Sequence, residues 1–121
     1  MRARRRAKLA ALLVGAVAVP VGLVVGTAGT ASAGVPCGGP IPSDIDHTAY
    51  KQSGDGGLER IGSHIECLST GVAGVGDTLD YYCFTTNSEG TTWTYLRNAT
   101  DGTSGWVRDD HLSDQGSGYL C

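Results

Sequence analysis

Apolar and polar positions alternate most clearly in the last third of the chain. From Thr78 to Thr85, Leu79, Tyr81 and Cys83 take one side of the pleat and Asp80, Tyr82 and Phe84 the other. Successive strand side chains point to opposite faces, so this stretch predicts a strand with the cysteine side as its core face. Thr91 to Asn98 predicts a second strand, with Thr92, Thr94 and Leu96 on one face and Trp93, Tyr95 and Arg97 on the other. Gly105 to Arg108 predicts a short third. Asn87-Ser88-Glu89-Gly90 and Asp101-Gly102 supply the turns between them. Asp109 to Leu112 predicts a single helical or 3₁₀ turn, with Asp109 as its cap and Leu112 as an apolar plug.

Upstream the pattern is weaker. Leu58, Ile61 and Ile65 alternate loosely, and Val72 and Val75 lie among Gly71, Gly74 and Gly76, a density that marks turns or bulges. Between residues 34 and 57, Pro36, Pro40 and Pro42 exclude a regular helix or central strand. That segment predicts an irregular arm with one short edge strand at His47–Tyr50. Ser113 to Cys121 predicts a polar, Gly-rich tail. The expectation is an all-β domain: a small, partly open β-barrel of five to six short strands over residues 58–121, preceded by the arm.

Residues 1–33 fall outside that domain. Arg2, Arg4, Arg5, Arg6 and Lys8 precede an uncharged apolar run from Leu9 to about Val25, and Ala31-Ser32-Ala33 offers small residues for cleavage. This order predicts a secretory signal peptide, with general export favoured over the twin-arginine route. Pro20 and Gly22 interrupt the run, which argues against a stable membrane anchor. Its removal changes the charge. All 12 acidic residues lie after Ala33, with Lys51, Arg60, Arg97 and Arg108 the only Lys or Arg there, so the remainder carries −8 rather than −3. Nucleic acid is excluded as a partner, because counterion release needs clustered cations. A neutral, zwitterionic or cationic ligand fits such a chain better.

Four cysteines, Cys37, Cys67, Cys83 and Cys121, predict two disulfides in an exported protein. Three connectivities are open. The favoured one pairs Cys67 with Cys83, between neighbouring segments, and Cys37 with Cys121, tying the two ends. An even count leaves no free thiol for Cys–His catalysis. His47, His64 and His111 sit beside serines or carboxylates in sequence, which alone builds no triad. No enzyme activity, metal or other cofactor is expected. Asn98-Ala99-Thr100 matches a glycosylation sequon.

The motif order carries a resemblance. A strand ending in Cys83, a Gly turn, Thr92-Trp93-Thr94-Tyr95-Leu96-Arg97, an Asp-Gly turn, Gly105-Trp106-Val107 and a helical turn closing in Leu112 resemble a bacterial SH3-like domain. They are most similar to the versions in small exported actinomycete proteins. The resemblance covers residues 71–112 and extends weakly to 58–70. It implies a five- to six-stranded barrel that binds cell-wall peptides or targets a hydrolase. Tyr81, Tyr82, Phe84, Trp93, Tyr95 and Trp106 exceed what a small barrel interior holds. The outward fraction predicts a ligand groove formed by Tyr82, Trp93 and Tyr95, with Asp80, Asp109 and Asp110 nearby to receive a basic group. The expected partner of this monomer is a cell-wall peptide or an extracellular protein. The second reading is a secreted effector or inhibitor that docks through the barrel edge or the N-terminal arm.

Overall fold

Four of the alternating stretches form strands, and the segment around Val72, whose glycines mark turns or bulges in the sequence, forms a fifth. The structure, a computed structural model, describes residues 33–121. The signal-peptide expectation lies almost wholly outside them. Strands β1 (Gly57–Arg60), β2 (Ser69–Ala73), β3 (Leu79–Thr86), β4 (Thr92–Asn98) and β5 (Ser104–Arg108) are followed by a 3₁₀ turn, Asp109–His111. They make one antiparallel sheet in the order β2-β1-β5-β4-β3. Among the described residues, no helix is long and apolar enough to cross a membrane.

The turns follow their chemistry. Gly102 adopts φ +85° and donates its N–H to Asn98 O at 2.8 Å, closing the β4–β5 hairpin. Asp101 holds the same corner by accepting from Thr103 N. Asp109 does not cap the 3₁₀ turn: no side chain does. Its carboxylate instead accepts a 2.6 Å bond from the Thr94 hydroxyl on β4.

The core lies on both faces of the sheet. Leu79, Tyr81, Leu96 and Val107 pack with Ala73 and Leu112. Trp93, Tyr95 and Trp106 pack separately, with Val35 and Tyr82 against them. Tyr95 and Leu96 are neighbours on one strand, as are Trp106 and Val107, so the two clusters occupy opposite faces. β3 buries its odd positions, as the alternation predicts. β4 buries Trp93, Thr94, Tyr95 and Leu96 in succession, the pattern of a central strand covered twice.

The covers are the arm and the tail. Val35 and Ser63 exchange backbone and hydroxyl hydrogen bonds, and Gly38 N donates to Ile61 O at 2.9 Å. A side chain at Gly62 would run into the backbone of Pro36 and Cys37, so this close approach requires glycine. Further on, Ile45 and Asp46 donate to Tyr82 O, and Lys51 pairs with Leu79. These contacts replace the strand expected at His47–Tyr50, which does not form. The tail runs parallel to the outer edge of β3, where Phe84 N donates to Tyr119 O and Cys121 N to Phe84 O. Both segments therefore blunt an edge that would otherwise offer unpaired backbone groups.

A buried polar chain links arm, sheet and tail. Ser117 Oγ donates to Asp46 Oδ2 at 2.7 Å, and Ser117 N to Thr94 Oγ1 at 2.9 Å. The Tyr81 hydroxyl bonds Ser53 and donates to Asp114.

The disulfides are Cys37–Cys67 and Cys83–Cys121, which overturns the favoured pairing. The strand order gives the reason. Cys67 lies in the connection between β1 and β2, and β1 is three interstrand steps from β3, about 14 Å along a sheet, whereas bridged Cα atoms sit within about 7 Å. The arm lies over Cys67, and the tail lies along Cys83. Non-reducing peptide mapping should recover these two linkages. Replacing both Cys83 and Cys121 by serine should lower unfolding free energy by about 4 kcal/mol in the chain-entropy account, read by denaturant titration.

Candidate functional site

The groove expected from sequence does not assemble. Trp93 is 1% exposed and Tyr95 6%, so neither forms an outward row. Tyr82 alone is half-buried, its ring 5.2 Å from Tyr95 at the irregularity between Tyr81 and Cys83. The arm supplies the reason: Val35 closes over the aromatic face that an uncovered barrel would leave to solvent. The three carboxylates are also scattered. Asp80 pairs in register with Arg97 at one end of β4, while Asp109 and Asp110 follow β5 at the other end. Asp109 is buried, and Asp110 is exposed and paired with Arg108 at 2.6 Å.

What the fold does form is a groove of about 380 Å³ between the arm and the sheet. Tyr95 and Trp106 line it, packed edge to face with centroids 5.3 Å apart. Ile41 from the arm and Ile61 from the loop after β1 form its apolar rim, with Arg60 and Ser104 as polar groups. Ile41 is 69% exposed. Sequence reasoning missed Ile41, Ile61 and Arg60, because each sits in the arm or beside the weakly patterned β1. The scarcity of Lys and Arg after Ala33 was the one signal pointing to Arg60.

The other candidates resolve into structural roles. Among the described residues, no three His, Cys, Asp or Glu side chains gather as a metal site. Asp46 spends its carboxylate on Thr48 and Ser117. Burial pushes its pKa up, but those hydrogen bonds outweigh burial and leave it below the usual value. Asn98 is fully buried and donates to Val72 O and Asp77, so it is no accessible glycosylation site. All four cysteines are bridged, so no thiol nucleophile is present.

Glu59 on β1 was not singled out by sequence. It is fully buried, and neither carboxyl oxygen meets a hydrogen-bond partner at bonding geometry. Burial raises its pKa above the usual 4.5; Thr103 and Asn98 offset part of that, and Asp101 and Asp77 add to the rise. The folded protein thus keeps this proton where the unfolded chain releases it. Stability conferred by Glu59 is complete below the unfolded value and falls as pH rises towards the folded one.

Two outcomes follow from these placements. Glu59→Gln should stabilise the protein at pH 7 by about 1 kcal/mol or more, by removing the cost of burying an unpaired carboxyl group, and should flatten the loss of Tm above pH 5. Trp93→Ala should cost about 3–5 kcal/mol as a core truncation, read in denaturant unfolding, rather than act as the removal of a surface contact.

Comparison with protein-family models, with curated proteins and with solved structures gives no match for this chain.

Proposed function

We propose that this protein is a secreted, non-catalytic SH3-like binding module that holds an extracellular peptide, of the cell wall or of a protein partner, in the groove between arm and sheet. The carrying observation is that groove: about 380 Å³, lined by Tyr95 and Trp106 and rimmed by exposed Ile41. A concave, mostly apolar site with a few polar groups is the usual form of a ligand pocket. Tyr95 and Trp106, 6% and 2% exposed, form a rigid floor, and exposed Ile41 offers the apolar contact area. The β3-β4-β5 meander, its closing 3₁₀ turn and the β1–β5 pairing support the SH3-like reading. So does the curl of the sheet, which brings the Thr70 hydroxyl of β2 to Ser104 O of β5 at 2.7 Å. Two disulfides fit an oxidising, extracellular setting.

The effector reading assigns docking to the barrel edge or to the arm. Here the arm is bonded to Ile61, Ser63 and Tyr82 and bridged to Cys67, which favours its service as a groove wall.

Retention on purified peptidoglycan tests the proposal. Ile41→Glu places a charge in the apolar rim at a site exposed enough to leave folding intact. It should reduce retention at least about tenfold, the equivalent of one good contact. Equal retention of both proteins, or none of either, counts against the wall-peptide form.

A further inference from the structure

Arg60 lines the groove on one side and a second cleft, of about 210 Å³, on the other. Leu58, Ile65, Trp93, Arg108 and His111 complete the cleft. Only four Lys or Arg follow Ala33, and two of them meet here beside an imidazole. In a chain this acidic, such a concentration of cations sets one small site apart from the rest of the surface.

The donors exceed the acceptors. Arg60 Nη1 donates to Cys67 O at 2.9 Å, which fixes the guanidinium yet occupies one of its five N–H groups. Arg108 donates from Nε and Nη2 to Asp110 at 3.1 and 2.6 Å. That pair has side chains 36% and 54% exposed, so water screens it and a competing anion exchanges with it at little cost. Asp110 also lies 3.9 Å from His111, and among the described residues it is the one carboxylate paired with either. The Trp93 indole Nε1–H is the sole side-chain donor among the described residues that is buried without an acceptor. Leu58 and Ile65, 40% and 61% exposed, give the same cleft an apolar edge. Its volume is below the roughly 300–1,000 Å³ of a site for a whole drug-sized ligand, so it suits one terminal residue.

We propose that this cleft binds the terminal carboxylate of a short peptide whose last side chain is small and apolar. Arg60 and Arg108 hold the carboxylate by charge-assisted hydrogen bonds. Leu58 and Ile65 cover the side chain. Because Arg60 is shared, a peptide lying in the groove ends in the cleft; for this direction of entry alone, the inference rests on the binding-module reading.

The test is an NMR titration of the ¹⁵N-labelled protein with N-acetyl-Gly-Ala-Ala as the free acid, as the carboxamide, and with inorganic phosphate. The free acid should move the Arg60 and Arg108 Nε–H and Trp93 Nε1–H signals saturably. The carboxamide should bind at least about tenfold more weakly, having lost the charge-assisted bonds. Arg108→Gln should weaken the acid by about the same factor, and Asp110→Asn, which frees Arg108, should tighten it. Both positions are partly exposed, and an unchanged amide spectrum elsewhere verifies the fold. Equal binding of acid and amide, absence of any shift, or indifference to both substitutions overturns the proposal. Phosphate binding as tightly as the acid overturns the peptide assignment. Shifts at Trp106 with none at Arg108 defeat this inference and leave the groove; shifts at Arg108 with none at Trp106 defeat the groove and leave the cleft.

Discussion

The structure depends on cover for both faces of β4 and β5. These strands put Leu96 and Val107 on one face and Trp93, Tyr95 and Trp106 on the other, and all five side chains are buried. A five-stranded sheet with short strands covers one face by curling. The second face needs material from elsewhere, and the chain supplies Val35 with the segment around it. Each disulfide then fastens one of the two irregular segments that regular pairing would not hold: Cys37–Cys67 the arm and Cys83–Cys121 the tail. In a domain this small, crosslinks of that kind replace the burial that a larger core would provide.

Because the arm is a structural cover, it also shapes the surface. The groove exists only where residues 38–41 pass over Tyr95 and Trp106, and its rim residue Ile41 stays exposed. Folding and the proposed binding therefore share one element. Loosening Cys37–Cys67 would weaken the cover on the aromatic face and the groove wall together. The buried polar chain from Asp46 through Ser117 to Thr94 and Asp109 does the same on the other side, holding the tail to β4 through groups that are costly to leave unpaired.

The strands were legible in the sequence because alternation and turn chemistry agree. β3, β4 and β5 fall where Thr78–Thr85, Thr91–Asn98 and Gly105–Arg108 predict them, and the turns close on the expected glycines. The cysteine pairing was not legible, since it depends on the order of strands across the sheet, which periodicity does not encode. The fate of the aromatics was lost for a related reason. Trp93 and Tyr95 sit on the face opposite Leu96, and whether that face meets water depends on a Pro- and Gly-rich arm with no period of its own. Arg60 pairs with Trp106 at the margin of a four-residue strand, too short to announce which side of the sheet it serves. Glu59 escaped notice because carboxylates on short strands are ordinarily solvated, and only the curl of β2 towards β5 encloses this one.

Charge sharpens what the whole arrangement favours. With −8 over residues 34–121, this part of the chain repels anions at a distance, yet two of its four Lys and Arg side chains line one cleft. Such a pattern makes poor use of long-range steering and good use of contact. At physiological ionic strength the field of distant carboxylates decays over about 8 Å, while a guanidinium–carboxylate pair inside a cleft is screened less. Under the proposed binding, selection among ligands turns on what lies against Arg60 and Arg108, and an extended polyanion gains nothing from the rest of the surface. A ligand with one terminal carboxylate and an otherwise neutral, partly apolar body suits both the cleft and its acidic surroundings. An unbranched anionic polymer suits neither, because every further charge it carries meets the repelling remainder of the surface.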